Sequence, residues 1–417
     1  MKKTGQPIPA APHERTSFSM KRLWLFCLML LALCAPAPGG AASSPLTIAV
    51  AADLHVNPAS QTKNPVNPLE PCHREIVDAF LCDVAARDAD VLLLLGDITN
   101  QGRAAQHEAL LTMLRKAQKS GLVILALPGN HDIGEVDPTG FAGLYQDFGY
   151  GRAYSRDDAS LSYSVLLDSR LFLLLDTNGY SGQRDSAFLT DTTLNWMERQ
   201  LALAREKGWQ VIAAGHYPLC TSHSTPFTNG ERAARLLEAY GVPLYLCGHL
   251  HKRCVTVQGG LTELVVDQTI AYPCAYAMLT LDADGGIEYQ PQRIDVSGWA
   301  RQVGVTDPNL LDFDAYQARL ERERCVTVVD KIRRDQQIDD TSLREAEDFF
   351  IQFSECRAQG TVSRYADALR SHPGCEILIR LSEGTIYQRW IPSVIADAVP
   401  YTTGFTLRDG QIVATDP

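Results

Sequence analysis

The sequence has no apolar run long enough to cross a bilayer: the stretch Leu23 to Cys34 holds about twelve residues where a spanning helix needs about twenty, so no stable membrane anchor is expected. It has no internal repeat and no low-complexity tract, which excludes solenoid and fibrous architectures. Positive charge is scarce, with 38 Lys+Arg against 49 Asp+Glu. Residues 1–42 carry five of the bases and one acid, so the chain beyond them has 33 against 48 and a formal charge of −15. Such a surface repels polyanions, and nucleic acid polymers and anionic membranes are poor partners. Cysteine is too sparse for a disulfide framework: nine of the eleven remain after residue 42, an odd number spread over a large chain, although individual bridges are open to it in an oxidising compartment. Cys220 and Cys247 read as buried strand-end residues rather than as partners of the nearby histidines.

The first 42 residues read as a signal peptide. Met20-Lys21-Arg22 precedes the apolar stretch, and Gly40-Ala41-Ala42 offers small residues for cleavage before Ser43. The polar prelude suggests initiation at Met20, and Leu33 is too large for lipoprotein processing at Cys34. The expected location is therefore exported: extracellular, periplasmic or associated with the cell envelope.

The remaining chain alternates strand and helix patterns. Leu46 to Ala52, Val91 to Leu95, Leu122 to Leu127, Val211 to Ala213 and Pro243 to Leu246 are short apolar runs without polar alternation, as in strands buried on both faces. Between them lie helical patterns over Arg74 to Arg87, Ala104 to Lys119, Thr192 to Lys207 and Glu231 to Tyr240, three of them stopped by Gly121, Gly208 and Gly241. An α/β sheet follows, with its ligand crevice at the carboxyl ends of the strands. From Val255 the pattern turns to a β-rich meander over Val255 to Gln258, Leu261 to Asp267, Tyr276 to Leu281 and Ile287 to Val296, expected to complete a second sheet. After about Ser297 it turns helical, over Phe313 to Arg324, a capping box at Ser342 and Glu345, Val362 to Arg370 and Ile377 to Ile391. A catalytic domain over 43–299 and a helical C-terminal domain over 300–417 are expected.

Five short motifs sit just past the apolar runs: Asp53-Leu54-His55, Gly96-Asp97, Gly129-Asn130-His131-Asp132, Gly215-His216 and Gly248-His249-Leu250-His251. Singly each is weak, since a loop histidine is more often a surface or hydrogen-bonded residue. Jointly they supply hard carboxylate and amide oxygens with neutral imidazoles, the donor set of a two-cation hydrolytic site. Imidazoles in that number favour transition metals, Mn, Fe or Zn, over Mg.

At these residues the chain resembles the calcineurin-like metallophosphoesterases, whose signature has these five blocks in this order. The resemblance implies two packed β-sheets flanked by helices and divides the ligands: one cation on Asp53, His55 and His251, the other on Asn130, His216 and His249, with Asp97 bridging. His131 would be the unligated histidine that meets the leaving group, and Asp132 a support for its loop; His223 is a further candidate for the site. His13, His73, His107 and His372 read as structural or surface residues. The segment Gly96-Asp97-Ile98-Thr99-Asn100-Gln101-Gly102 lacks the arginine that the protein Ser/Thr phosphatases place there. The match is closer to the exported bacterial branch similar to cyclic-nucleotide phosphodiesterases, extending through Asn100, His107-Glu108, Phe148-Gly149-Tyr150 and Ser160 to Asp176.

The expectation is a dinuclear-metal phosphoesterase that hydrolyses a small phosphodiester, a cyclic nucleotide being one candidate, by attack of a metal-activated hydroxide. A phosphomonoesterase or nucleotidase on the same site is the second reading, and a non-catalytic binding protein on a degenerate scaffold the third. Phe141 to Tyr163 and Cys220 to Asn229 are expected to wall the cleft. The C-terminal aromatics Phe349, Phe350, Phe353, Tyr387 and Trp390 read as helix-packing core, with a lid over the strand ends as the functional alternative.

Overall fold

The computed structural model describes residues 44–58, 67–118, 121–178, 186–223, 225–334 and 336–415; the expected signal peptide lies outside them. Ser44–Pro417 forms one compact unit, continuous across residue 300. Its strands are β1 (Leu46–Ala51), β2 (Val91–Leu95), β3 (Val123–Leu127), β4 (Ser155–Arg156), β5 (Tyr163–Leu167), β6 (Arg170–Leu175), β7 (Ala187–Phe188) and β8 (Gln210–Gly215). They continue with β9 (Phe227–Thr228), β10 (Leu244–Cys247), β11 (Cys254–Gln258), β12 (Leu261–Val265), β13 (Ala275–Leu281), β14 (Ile287–Arg293), β15 (Phe405–Arg408) and β16 (Gln411–Ala414).

Two seven-stranded mixed sheets hold the fold, in the orders β16-β15-β14-β13-β1-β2-β3 and β11-β12-β10-β8-β6-β5-β4. Strands β1, β2 and β3 run parallel, as do β6, β8, β10 and β12. Side chains of a strand alternate between faces, and the second sheet shows what that does to an all-apolar run. Phe172, Leu174, Ile212, Ala214, Leu244 and Leu246 join the core shared with the first sheet. Leu173, Leu175, Ala213, Tyr245 and Cys247 join a separate core on the opposite face.

Helices α1 (His73–Ala86) and α2 (Ala104–Gln118) contribute to the shared core; α3 (Asp191–Lys207) and α4 (Gly230–Ala239) contribute to the other. The ends of α3 are chemically marked: Thr190 Oγ1 accepts from Thr193 N at 2.9 Å, and Gly208 closes the helix at φ +68°. Farther on come α5 (Val296–Val303), α6 (Phe313–Arg333), α7 (Asp340–Gln359), α8 (Val362–Ser371), α9 (Pro373–Leu381) and α10 (Tyr387–Ala396). The last five share a core in which Phe349, Phe350 and Phe353 are buried and Tyr387 and Trp390 pack at its border. Among the described residues no helix is long and apolar enough to cross a membrane.

Several expectations need correction. The meander does not complete one sheet: β11 and β12 extend the second, whereas β13 and β14 join the first, because the chain crosses over between Val265 and Ala275. The helix expected over Ile377 to Ile391 is two, interrupted where Gly384 takes φ +74°. The α7 cap is Asp339, which accepts from Thr341 N and Ser342 N at 3.0 Å, and not a box at Ser342 and Glu345. Residues 300–417 are not helical throughout: β15 and β16 return to the first sheet, Ile287 to Tyr289 pairing with Leu407 to Phe405. No disulfide forms among the described residues, where nine cysteines are free thiols.

Candidate metal centre

All five motifs lie past the carboxyl ends of parallel strands: Asp53 and His55 after β1, Asp97 after β2, Asn130 and His131 after β3, His216 after β8, His249 and His251 after β10. Asp53, His55, Asp97, His249 and His251 all have positive φ, between +43° and +68°. That conformation costs a non-glycine residue of order 1–3 kcal/mol and persists only where surroundings impose it. Here the backbone imposes it, with Asp53 N donating to Gly96 O at 3.1 Å and His55 N to Asp97 O at 2.8 Å. Two motif glycines are explained by close approach: a Cβ on Gly129 would strike the Asp97 backbone and carboxylate, and one on Gly248 would lie 2.8 Å from Asp53 Oδ2.

The side chains converge in two groups. Asp53 Oδ1 lies 3.4 Å from His251 Nε2 and 4.0 Å from His55 Nε2, and the two imidazole nitrogens are 3.0 Å apart. In the other group His216 Nε2 lies 3.0 Å from Asn130 Oδ1. Asp97 Oδ2 stands between them, 3.8 Å from His55 Nε2 and 3.4 Å from His216 Nε2. His249 joins by its ring, 5.2 Å from that of His216, and its amide donates to Asp53 Oδ2 at 3.0 Å. Its Nε2 faces Thr225 Oγ1 at 3.4 Å. Asp53, His55, Asp97 and His251 alone form a cluster able to hold a cation.

The donor set fits cations. Asp53 Oδ1 is buried without a hydrogen-bond donor, a costly condition for a carboxylate oxygen. His216 Nδ1 faces Leu95 O at 2.9 Å, which as an N–H donor leaves the Nε2 lone pair directed into the site. Burial pushes His55 down to about 4, and burial together with protonated His216 pushes His249 down to about 3, so both imidazoles are neutral ligands near neutral pH. Burial also opposes charge on Asp53 and Asp97, yet His251 and His216 respectively hold these carboxyls below their usual range. In return, and against burial, Asp97 draws His216 up to about 9 and Asp53 raises His251. A pocket that draws protons onto His216 and His251 is short of positive charge, which bound cations would supply.

Around the cluster other residues hold the loops. His131 N donates to Asp97 Oδ1 at 2.8 Å and its Nδ1 faces Asn100 O at 2.6 Å, leaving Nε2 free to meet a ligand. The Asp132 carboxylate accepts from Gly129 N, Ile98 N, Thr99 N and Thr99 Oγ1, tying the β2 and β3 loops together. His107 spans Tyr145 OH and Asp132 O, both at 3.0 Å, in a structural role. Sequence reasoning passes over Glu263, buried in β12, whose carboxylate accepts from the amides of Leu219, Cys220 and Thr221 at 2.5–2.9 Å and so fixes the loop beyond His216. Its signal is a lone acid in a fully buried five-residue strand whose other residues are uncharged.

His223 stands beside the cluster, its ring 6.0 Å from that of His249 and its Nε2 facing Pro218 O at 3.2 Å. The expected wall Phe141 to Tyr163 is corrected in part: Phe141, Tyr145, Phe148, Tyr150 and Tyr163 are core residues whose rings meet one another. The C-terminal region instead approaches the site through Arg253, two residues past His251. It pairs with Asp267 at 2.7 Å and donates to Thr402 O at 3.2 Å.

Residues 46–253 match the family model of calcineurin-like phosphoesterases, and residues 295–400 match that of the C-terminal domain of cyclic nucleotide phosphodiesterase. Human tartrate-resistant acid phosphatase type 5 is 43% identical over 65 residues, 15% of this chain and 19% of that protein. A protein of Vesicomyosocius okutanii named probable cyclic nucleotide phosphodiesterase is 26% identical over 173 residues, 39% of this chain and 63% of that one. Glycerophosphodiester phosphodiesterase GpdQ of Enterobacter lignolyticus is 27% identical over 187 residues, covering 43% and 63%. The chain thus spans less than two thirds of each relative's length. With both models matched and all five motifs gathered at one crevice, the chain belongs to the calcineurin-like phosphoesterases.

Proposed function

We propose that the protein is an exported metal-dependent phosphodiesterase acting on a small phosphodiester, with cyclic nucleotides as one candidate class. The observation that carries this reading is Asp97, placed between two separate donor groups and within 3.8 Å of an imidazole in each. Asp53, His55 and His251 would hold one cation, Asn130, His216 and His249 the other, and Asp97 both. When bound, two divalent ions supply a water of lowered pKa and offset charge on the phosphoryl oxygens. Mn, Fe or Zn suits these ligands better than Mg.

The chain's own residues would do the rest. Asp97 Oδ1 keeps His131 in place by accepting a hydrogen bond from its backbone N–H at 2.8 Å, and His131 Nδ1 donates to Asn100 O. His131 Nε2 is thereby turned outward, where a protonated ring gives its proton to the departing alkoxide. Asp132 and Glu263 hold the loops that carry Asn130 and His216, which preserves the geometry that the reaction depends on.

Diester preference is supported by the missing arginine in the Asp97 motif, by the C-terminal match to cyclic nucleotide phosphodiesterase, and by the names of two relatives. A phosphomonoesterase reading is favoured by the local 43% identity to an acid phosphatase. Assay of the metal-loaded protein on cyclic nucleotides, bis(p-nitrophenyl) phosphate and p-nitrophenyl phosphate separates the two. The diester is expected to have the higher kcat/KM; a monoester preference of about tenfold or more, some 1.4 kcal/mol in the transition state, sinks the diester reading.

A further inference from the structure

Beside His251 the protein assembles three guanidiniums and two carboxylates, and one guanidinium is left over. Arg253 Nε lies 2.8 Å from Asp267 Oδ2. Arg324 holds Glu321 through two bonds of 2.7 and 2.6 Å, and Ser354 Oγ donates to the same carboxylate at 2.6 Å. Arg357, on α7, is the third. Among the described residues its guanidinium makes no hydrogen bond or ion pair; its contact is the Trp390 ring, 5.5 Å away. Burial and the neighbouring Arg324 both disfavour its charge, and the acids that oppose this effect include the already paired Glu321 and Asp267. Arg357 is half-buried, and a guanidinium at a cavity wall with no acid of its own is open to an anion.

Arg357 lines a cavity of about 160 Å³ together with His251, Tyr272, Gln317, Glu321 and Arg324. His251 therefore touches both spaces: its Nε2 is 3.4 Å from Asp53 Oδ1, and its residue borders the Arg357 cavity. The cavity lies between His251 and the C-terminal helices, whose α7 supplies Arg357 and whose α6 supplies Gln317, Glu321 and Arg324.

We propose that Arg357 binds a second anionic group of the substrate, a carboxylate or phosphate carried on the ester arm away from the reacting phosphorus. The proposal rests on the phosphodiester reading above. A planar guanidinium suits such a group because it donates two parallel hydrogen bonds to a pair of oxygens. The C-terminal helices then set specificity, selecting small diesters with an acidic arm.

The test compares p-nitrophenyl 3-carboxypropyl phosphate with its uncharged carboxamide analogue on the metal-loaded full chain. Wild type should favour the carboxylate about ten- to a hundredfold in kcat/KM, the range of a charge-assisted hydrogen bond. Arg357→Gln should erase that preference through KM, and Arg357→Lys should restore part of it. No preference in wild type overturns the proposal, and this comparison does not depend on any variant folding. Equal losses on both esters in Arg357→Gln, with metal content intact, also overturn it. Failure of wild type to cleave either ester counts against the phosphodiester reading; calorimetric binding of the carboxylate ester then decides on Arg357, with equal affinity in wild type and Arg357→Gln contradicting its role.

Discussion

Asp97 and His131 sit 2.8 Å apart, joined by a hydrogen bond from amide to carboxylate, yet the account gives them separable jobs. Because Asp97 faces both donor groups, Asp97→Ala should lower metal occupancy at both positions and abolish activity, as measured by elemental analysis and turnover; loss of a single ion would argue against a shared ligand. His131→Gln should keep its metals. It should lose about 10²–10⁴-fold on a nucleotide-type ester, whose alkoxide needs a proton, and much less on p-nitrophenyl esters. Equal losses would assign His131 to orienting the phosphate. The titrating imidazoles add a pH signature to the metal-free protein. His216, raised to about 9, contributes stability that is complete below its unfolded value of about 6.5 and lost as pH rises to 9. His55 and His249, lowered to about 4 and 3, contribute stability present above that unfolded value and lost as pH falls through theirs. Thermal melts of chelator-treated protein should therefore peak near pH 6.5, and metal loading should flatten the alkaline side.

At the scale of elements, strand ends are legible in the sequence and long-range partners are not. Unbroken apolar runs such as Val91 to Leu95 identify buried parallel strands by themselves, and the motif that follows each strand is contiguous with it, so Asp53, Asp97 and His216 can be placed without coordinates. Glu263 cannot, because its partners at Leu219 to Thr221 are some forty residues away in sequence. The same holds for β15, whose pairing with β14 spans more than a hundred residues, and for the division of the meander between two sheets. Local pattern specifies an element; the sheet it joins is set by tertiary packing. Phe141 to Tyr163 misleads for the related reason that aromatic loop residues look alike whether they line a cleft or fill a core. Arg253 is a clamp between elements, tying the β10–β11 connection to Asp267 and to Thr402 O. Arg253→Met leaves the buried Asp267 carboxylate unpaired and should destabilise the chain by about 3–5 kcal/mol, readable as a lowered denaturation midpoint.

On the scale of the molecule, a chain with 38 bases against 49 acids gathers seven metal-type donors at one crevice and sets a cluster of arginines beside it. Loaded with cations, such a crevice in an acidic protein would attract small anionic esters. The two sheets bring the ends of β1, β2 and β3 and of β8 and β10 together, so neither sheet holds the whole ligand set. The central claim is that this shared edge is a dinuclear hydrolytic centre, and Mn²⁺ titration of the metal-free protein, following bis(p-nitrophenyl) phosphate hydrolysis, tests it most directly. Activity should rise to saturation at two equivalents of metal per chain; saturation at one equivalent, or no activity at any loading, would contradict it.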